Sequence, residues 1–275
     1  MKLIQSAIWL LASCLVMPTG LAQTTSAYPA KPIRLVVPFP AGGPTDQFAR
    51  QYAQSLSTQL GKPVVVDNKS GASGAIGSLE VKNSAPDGYT LLFGTASTHV
   101  LYGLMTPKPQ YDSIKDFTEI AVVGDAPIVF AVSPGTKGGF KELIEYARLN
   151  PGKLQYGSAG EGTYLHIVGE RLKYEVGNLD IQHIPFRGSA QSIPALIGGQ
   201  VNMTVDTLGS LINQHRAGKL KIVAIASTKR SPLIPDVPTV NEVTGLKDFQ
   251  AALWNIVSAP EGLSPDIANI LILAT

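Results

Sequence analysis

Short apolar runs rich in β-branched residues alternate with helical patterns from residue 33 onwards. The sequence predicts strands over Ile33–Phe39, Val64–Asp67, Thr90–Gly94, Ala121–Val132, Leu154–Gly157, Ile181–Phe186, Val201–Asp206, Ile222–Ala226 and Asn255–Ser258. It predicts helices over Thr45–Leu60, Gly74–Ser84, Phe140–Arg148, Tyr164–Glu175, Ala190–Ile197 and Leu208–Ala217. Strand–helix–strand alternation implies right-handed crossovers, and continuous apolar strands fit sheets that are covered on both faces. We therefore predict an α/β fold of mostly parallel sheets flanked by helices.

One predicted strand is long enough to belong to more than one sheet. Ala121–Val132 is interrupted by Gly124–Pro127, so it can leave one sheet and enter another. Trp254–Ala259 is the candidate for the return crossing. Two crossings give two α/β lobes with a cleft between them. We expect lobe one to comprise residues 28–126 and 252–275, and lobe two to comprise residues 127–251.

The first 22 residues have the pattern of an export signal. Lys2 precedes an apolar stretch, and Gly20-Leu21-Ala22 resembles a small-x-small cleavage site. The stretch is shorter than the ~20 residues that span a bilayer. Leu11–Cys14 also fits the pattern for bacterial lipoprotein processing, but the apolar run continues past Cys14. We therefore predict a signal peptide over residues 1–22, and we favour a soluble periplasmic protein over lipid anchoring through Cys14.

The composition and the scattered histidines exclude several classes of function. Lys and Arg number 22 and Asp and Glu number 20, so the balance gives no footprint for nucleic acid or a membrane surface. Cys14 is the only cysteine, so the mature chain has no thiolate site. The four histidines are dispersed, and only His166 and Glu170 stand at helical spacing. The dispersed histidines therefore predict no metal site. The glycine spacing differs from a dinucleotide fingerprint, so we also expect no cofactor.

The segment Pro38–Asp46 connects a predicted strand to a predicted helix. Gly42 and Gly43 allow close approach of the backbone, and Pro44 suits the first helical position. Free amides at a helix N-terminus bind anions, so this loop is a candidate carboxylate site. An ordinary strand-to-helix turn, with Asp46 capping its helix, explains the same residues.

Further loops follow strands at equivalent places. Residues 67–77, 94–99 and 157–163 are rich in small side chains, hydroxyls and exposed amides, which orient polar ligands in concave sites. Each of them can also be a simple tight turn. Asp206 ends a predicted strand and either caps the next helix or contacts a ligand.

An enzymatic alternative rests on Gly71-Ala72-Ser73-Gly74-Ala75, which loosely resembles a nucleophile elbow. A hydrolase also needs a later acid and then a histidine, and His166, His183 and His215 do not stand in a diagnostic context. We therefore predict that the chain is not an enzyme and keep a periplasmic esterase as a minor alternative.

Motifs along the mature chain occur in the order found in a known family. They are Tyr28–Arg34 with Pro38–Asp46, Pro86–Leu92, Tyr111-Asp112 with Lys115–Phe117, Pro151–Leu154, Gly162-Thr163 with His166 and Gly169-Glu170, Ile197–Gln200, Ala217–Leu220 and Pro235–Thr239. On these motifs the chain resembles the tripartite tricarboxylate transporter receptors, the Bug family. The resemblance extends over nearly all of the mature chain.

The resemblance implies a two-lobed Venus-flytrap receptor that closes on a small organic carboxylate. It also implies delivery to a permease with a large and a small membrane subunit, and we expect the receptor to be a monomer. A sensory receptor read by a signalling protein is the alternative within the same fold. By resemblance, lobe one supplies Phe39, Ala41, Gly42, Gly43, Thr45, Asp46, Ala72, Ser73, Thr95 and Ser97, and lobe two supplies Ser158, Gly160, Thr163 and Asp206.

The last residues depart from the family pattern. Members of the family continue for several tens of residues beyond the segment that is Ala259–Gly262 here. Ser264 as cap and Pro265 at the first position predict a helix start. Ile267–Leu273 is apolar on nearly every side, which does not suit an exposed terminal helix. We therefore expect the C-terminal part of lobe one to be truncated.

Overall fold

The structure is a computed structural model and describes residues 28–275. The predicted signal peptide and Cys14 lie outside these residues. Within the described part of the chain, no helix has the length and apolar character needed to cross a membrane.

The elements follow the predicted alternation closely. The strands are β1 Ile33–Val37, β2 Val64–Asn68, β3 Thr90–Thr95, β4 Phe117–Val132, β5 Leu154–Ser158, β6 Ile181–Pro185, β7 Met203–Thr207, β8 Lys221–Ile225 and β9 Ala252–Pro260. The helices are α1 Pro44–Leu60, α2 Ala75–Lys82, α3 Tyr102–Met105, α4 Phe140–Leu149, α5 Tyr164–Glu175, α6 Ser189–Ile197, α7 Leu208–Arg216, α8 Val240–Thr244 and α9 Pro265–Ala274. The short helices α3 and α8 have no counterpart in the prediction.

The long strand β4 belongs to two groups of strands. As far as Pro127 it pairs with β9, in a sheet ordered β2-β1-β3-β9-β4. From Ile128 onwards it pairs with β7 and β8, and β5 and β6 extend that side. The chain therefore has the predicted two-lobed α/β architecture. We retain residues 28–126 with 252–275, and residues 127–251, as the proposed extents of the lobes.

The sheets are mixed, whereas the sequence predicted mostly parallel ones. The pairs β1–β2, β1–β3, β5–β6 and β5–β7 are parallel. The pairs β3–β9, β4–β9, β4–β7 and β4–β8 are antiparallel. The difference arises because β4 and β9 cross between the lobes in opposite directions, and each runs against the strands that it joins.

Each sheet is covered on both faces, as the apolar strands predicted. In β1, Ile33 and Leu35 face α1 and α9, whereas Val36 packs with the α2 side. In β4, Phe130 packs with α4 and α5, whereas Val129 packs with α6 and α7. This alternation follows the two-residue period of a strand, which buries successive side chains on opposite faces of the sheet.

Helix α9 packs on lobe one through one side only. Ser264 caps it as predicted, because its hydroxyl accepts a hydrogen bond from the Ile267 amide. Leu271 is 1% exposed in the core of lobe one, whereas Leu273 is 87% exposed. The hydroxyls of Tyr52 and Thr275 lie 2.8 Å apart and tie the end of α9 to α1. The predicted truncation stays a prediction.

The contrast between the two leucines of α9 gives a stability test. We expect Leu271→Ala to lower the free energy of unfolding of lobe one by about 2–4 kcal/mol, because it leaves a cavity under α9. The matched control Leu273→Ala should change it by less than about 0.5 kcal/mol. Urea unfolding followed by circular dichroism measures the free energy of unfolding of both variants. Equal losses in the two variants would show that α9 does not cover the core through Leu271.

Candidate ligand-binding site

The loop between β1 and α1 is held in place by Asp46. Its carboxylate accepts hydrogen bonds from the Gly42 amide at 2.9 Å, Arg50 Nε at 3.0 Å and Asn68 Nδ2 at 2.9 Å. Burial opposes the charge on Asp46, but these hydrogen bonds outweigh it and lower the pKa of the carboxyl. Asp46 therefore ties the loop to the end of β2. Gly43 precedes α1 in an extended conformation with φ −78°.

The loop between β5 and α5 is built around two hydroxyls. The Ser158 hydroxyl is buried, lies 2.7 Å from His183 Nε2 and accepts from the Gly160 amide at 3.2 Å. The Thr163 hydroxyl donates to the Gly160 carbonyl at 2.7 Å and caps α5 by accepting from the His166 amide. Both hydroxyls are therefore buried supports of the loop backbone at Gly160.

The loop between β2 and α2 has an unusual backbone. Gly71, Ala72, Ser73 and Gly74 have φ of 138°, 46°, 54° and 100°. Positive φ strains residues that carry a Cβ, so Ala72 and Ser73 are held there by their surroundings. A Cβ on Gly74 would lie 2.6 Å from Thr98 Cγ2, so only glycine fits at that position.

Two serines of lobe one bond directly to lobe two. The Ser73 hydroxyl donates to the Glu161 carbonyl. The Ser97 hydroxyl accepts from the Tyr164 amide at 2.9 Å, at the first residue of α5. The amide of Ser97 itself donates to the Thr95 hydroxyl at 3.1 Å, which fixes the end of β3. The cleft therefore has direct hydrogen bonds across it.

A cavity between the loops, the inner chamber, has a volume of about 30 Å³. The N-termini of α1, α5 and α6 all contribute to its wall. Each such terminus carries a partial positive charge of roughly half an electron, so the chamber favours an anion. No side chain that carries a full charge is among its lining residues. They are Phe39, Pro40, Gly43, Pro44, Thr45, Thr95, Ser97, Ala159, Thr163, Tyr164, Leu165, Gly188, Ser189 and Leu253.

A larger cavity, the outer chamber, has a volume of about 500 Å³ on the other side of Phe39 and Pro40. Two charged residues, Glu161 and Arg187, are among its lining residues. The outer chamber has a volume typical of small-molecule sites, whereas the inner chamber has room for a group of only a few atoms. The outer chamber is lined by Pro38, Phe39, Pro40, Ser70, Gly71, Ala72, Ser73, Gly74, Ala159, Gly160, Glu161, Thr163, Phe186, Arg187 and Gly188.

The structure brings nine of the residues predicted from the sequence to the chamber walls, namely Phe39, Gly43, Thr45, Ala72, Ser73, Thr95, Ser97, Gly160 and Thr163. It places five others behind or beside the walls, namely Ala41, Gly42, Asp46, Ser158 and Asp206. Gly42 is exposed beside the cleft, and its amide is already donated to Asp46.

Asp206 does not cap α7, and its contact with a ligand stays a prediction. It is fully buried at the end of β7, and its carboxylate accepts from the Thr207 amide at 2.7 Å. Burial raises the pKa of Asp206 to about 6. The cap of α7 is Thr207, whose hydroxyl accepts from the Ser210 amide.

The loop between β6 and α6 was missed in the sequence. Its residue Gly188 borders both chambers, Ser189 borders the inner one and Arg187 the outer one. The position of this loop in the sequence could have indicated it, because it follows a predicted strand and precedes a predicted helix, like the other candidate loops. A Cβ on Gly188 would lie 3.0 Å from Pro40 Cγ, so the loop approaches lobe one closely.

The geometry offers no nucleophile and base at the chambers within residues 28–275. The Ser73 hydroxyl donates to a carbonyl rather than to an imidazole. Ser158 does contact His183, but it is buried and belongs to neither chamber wall. Nucleophilic catalysis needs an activated hydroxyl that faces the substrate, and neither serine meets that requirement at a chamber.

Comparisons with known proteins agree with this arrangement. The family model of the tripartite tricarboxylate transporter family receptor matches residues 48–275. The protein BugT of Bordetella pertussis (strain Tohama I) is 37% identical over 256 residues, which are 92% of this chain and 78% of BugT.

Solved structures show the same fold. The periplasmic binding protein BugD has a TM-score of 0.85 at 35% identity, over 90% of this chain and 82% of that chain. Rpa4515 of R. palustris with adipate has a TM-score of 0.85 at 33% identity, over 90% and 82%. MatC of Rhodopseudomonas palustris with bound malate has a TM-score of 0.83 at 32% identity, over 90% and 84%.

The hydrogen bonds that Ser73 and Ser97 make across the cleft predict that removing them will let the lobes separate more easily. Each is expected to stabilise the closed form by about 1 kcal/mol. The double variant Ser73→Ala/Ser97→Ala should therefore open more readily, and small-angle scattering should give a larger radius of gyration than for the unmutated protein. Ser70→Ala, at the outer chamber wall, is the matched control. Identical scattering from the double variant and the unmutated protein would contradict the role of these bonds.

Proposed function

Because this chain belongs to the tripartite tricarboxylate transporter family of receptors, we propose that it captures a small organic carboxylate between its lobes and delivers it to a membrane permease with a large and a small subunit. The chamber geometry and the ligands of similar proteins support this function. The predicted export signal supports a location in the periplasm, where such a receptor meets its ligand.

The observation that carries the proposal is the convergence of α1, α5 and α6 on the inner chamber. Free amides in the first turns of these helices bind a carboxylate without a counter-charged side chain, although in α5 the Tyr164 amide is already donated to Ser97. Hydroxyls of Thr45 and Thr95 are close by and supply further donors, whereas the proton of the Thr163 hydroxyl is donated to Gly160. Phe39, Leu165 and Leu253 give the carbon chain of the ligand an apolar surface.

The ligands of the similar structures have the same chemistry. Adipate and malate are both small organic acids with more than one carboxylate. Residues from both lobes border the inner chamber, so a ligand there contacts lobe one and lobe two together. Binding therefore favours the closed arrangement of the lobes.

The variant Gly43→Val tests the inner chamber as the carboxylate site. Gly43 has φ −78°, and a Cβ there would lie 3.5 Å from the Pro40 carbonyl oxygen, so the fold accepts a side chain. The larger valine side chain should obstruct the chamber and weaken carboxylate binding at least tenfold, about 1.4 kcal/mol. Calorimetry with acids selected from a thermal-shift screen of mono-, di- and tricarboxylates measures the effect.

Gly135→Val is the matched control, because a Cβ there meets nothing within 4 Å. It should leave affinity unchanged. A folded Gly43→Val protein that binds as tightly as the control would remove the inner chamber as the site.

Delivery to a permease is tested in cells. Deleting the gene should abolish uptake of the radiolabelled acid that binds best, and the plasmid-borne gene should restore it. Unchanged uptake together with a lost transcriptional response to the acid would instead support the sensory alternative.

A further inference from the structure

The inner and outer chambers are adjacent and share five residues of their walls. Phe39, Pro40, Ala159, Thr163 and Gly188 border both of them. The space next to a carboxylate held in the inner chamber is therefore the outer chamber. The groups that meet the distal end of a ligand there decide which acids bind well.

Arg187 stands in the outer chamber wall on a fixed backbone. The Phe186 amide donates to the Ser158 carbonyl at 3.2 Å, and the Gly188 amide donates to the Ala159 carbonyl at 3.1 Å. The amide of Arg187 itself donates to Gln191 Oε1 at 3.2 Å. Three consecutive amides are thus bonded, so the backbone of Arg187 is positioned while its side chain remains exposed.

The Arg187 guanidinium differs from the other arginines in residues 28–275. The side chains of six arginines bond a carboxylate or a carbonyl of the chain, namely Arg34, Arg50, Arg148, Arg171, Arg216 and Arg230. The guanidinium of Arg187 makes no such bond within the described residues. A guanidinium presents paired donors that match a carboxylate, so Arg187 has its full capacity for a ligand.

Glu161 is the other charged residue of the outer chamber. Its backbone carbonyl is occupied by Ser73. Its carboxylate repels a second carboxylate, so Arg187 is the charged residue of this wall that attracts the distal end of a dicarboxylate.

We propose that Arg187 binds the second carboxylate of a linear dicarboxylate whose first carboxylate occupies the inner chamber. This inference rests on the proposed function and makes Arg187 a specificity-determining residue. An acid without a distal charge binds through the inner chamber alone. A dicarboxylate gains a charge-assisted hydrogen bond that is worth about tenfold or more in affinity.

Matched acids test the proposal by calorimetry on the full chain. Succinate, adipate and suberate are each compared with butyrate, hexanoate and octanoate, which lack the distal carboxylate. We expect at least one dicarboxylate to bind about tenfold or more tightly than its partner acid. In Arg187→Gln this advantage should disappear, while the affinity for the monocarboxylate stays unchanged. Arg216→Gln, in α7 and away from both chambers, is the matched control and should keep the advantage.

Other outcomes overturn the proposal. Equal affinity of each dicarboxylate and its monocarboxylate, with binding still lost in Gly43→Val, would reject the subsite and leave the proposed function standing. Equal losses for both kinds of acid in Arg187→Gln would show that Arg187 is structural. Tighter binding of ε-aminocaproate than of adipate, abolished by Glu161→Gln, would assign the outer chamber to an ammonium group. Absence of binding for every acid would reject the proposed function as well.

Discussion

The antiparallel pairing of β4 with β9 is the constraint on which the cleft depends. The pairing runs from Phe117 opposite Pro260 to Pro127 opposite Ala252, and its register shifts before Ala121 and again before Gly124. Gly124 has φ 144°, and a Cβ there would lie 2.8 Å from Phe48 Cζ of α1. The crossing strand thus packs on the helix whose N-terminus borders the inner chamber. A shift in this pairing would therefore move one chamber wall relative to the other.

Asp46 shows how a buried charge beside a chamber can support the chamber wall. Its carboxylate is satisfied by Gly42, Arg50 and Asn68, which come from the loop, the next helical turn and β2. A buried carboxylate without these donors would be costly, so the loop and β2 must stay together. Asp46 therefore positions the amides at the start of α1. The negative charge remains paired, and the anion-binding character of the helix terminus is preserved.

Much of this architecture could be predicted from the sequence, because apolar periodicity and turn residues are local signals. The bounds of α5 match the prediction, and the long interrupted strand indicated a crossing. The direction of β4 and β9 could not be predicted, since it depends on how the lobes join. The site was predicted in part. Loop residues such as Thr95 and Thr163 do reach the chamber walls.

The predicted site and the chamber walls differ for one physical reason. A residue next to a cleft can point into it or can support its wall, and local sequence does not separate the two. Ser158 and Asp206 lie at the ends of strands, as expected for site residues, but both are buried in the support of the wall. Arg187 was overlooked for the opposite reason. Its loop carries a bulky charged residue and so lacked the small, hydroxyl-rich composition that drew attention to the other loops.

The absence of a charged side chain from the inner chamber wall bears on how such a receptor releases its ligand. Partial charges at helix N-termini stabilise a carboxylate only while the termini of α1, α5 and α6 converge. A ligand shifts the lobes towards closure only by the contacts that it gains in the closed form. The hydrogen bonds that Ser73 and Ser97 make to lobe two favour the same form without the ligand. In the proposed function, a permease that separates the lobes would break both sets of contacts together and so remove most of the carboxylate's binding energy.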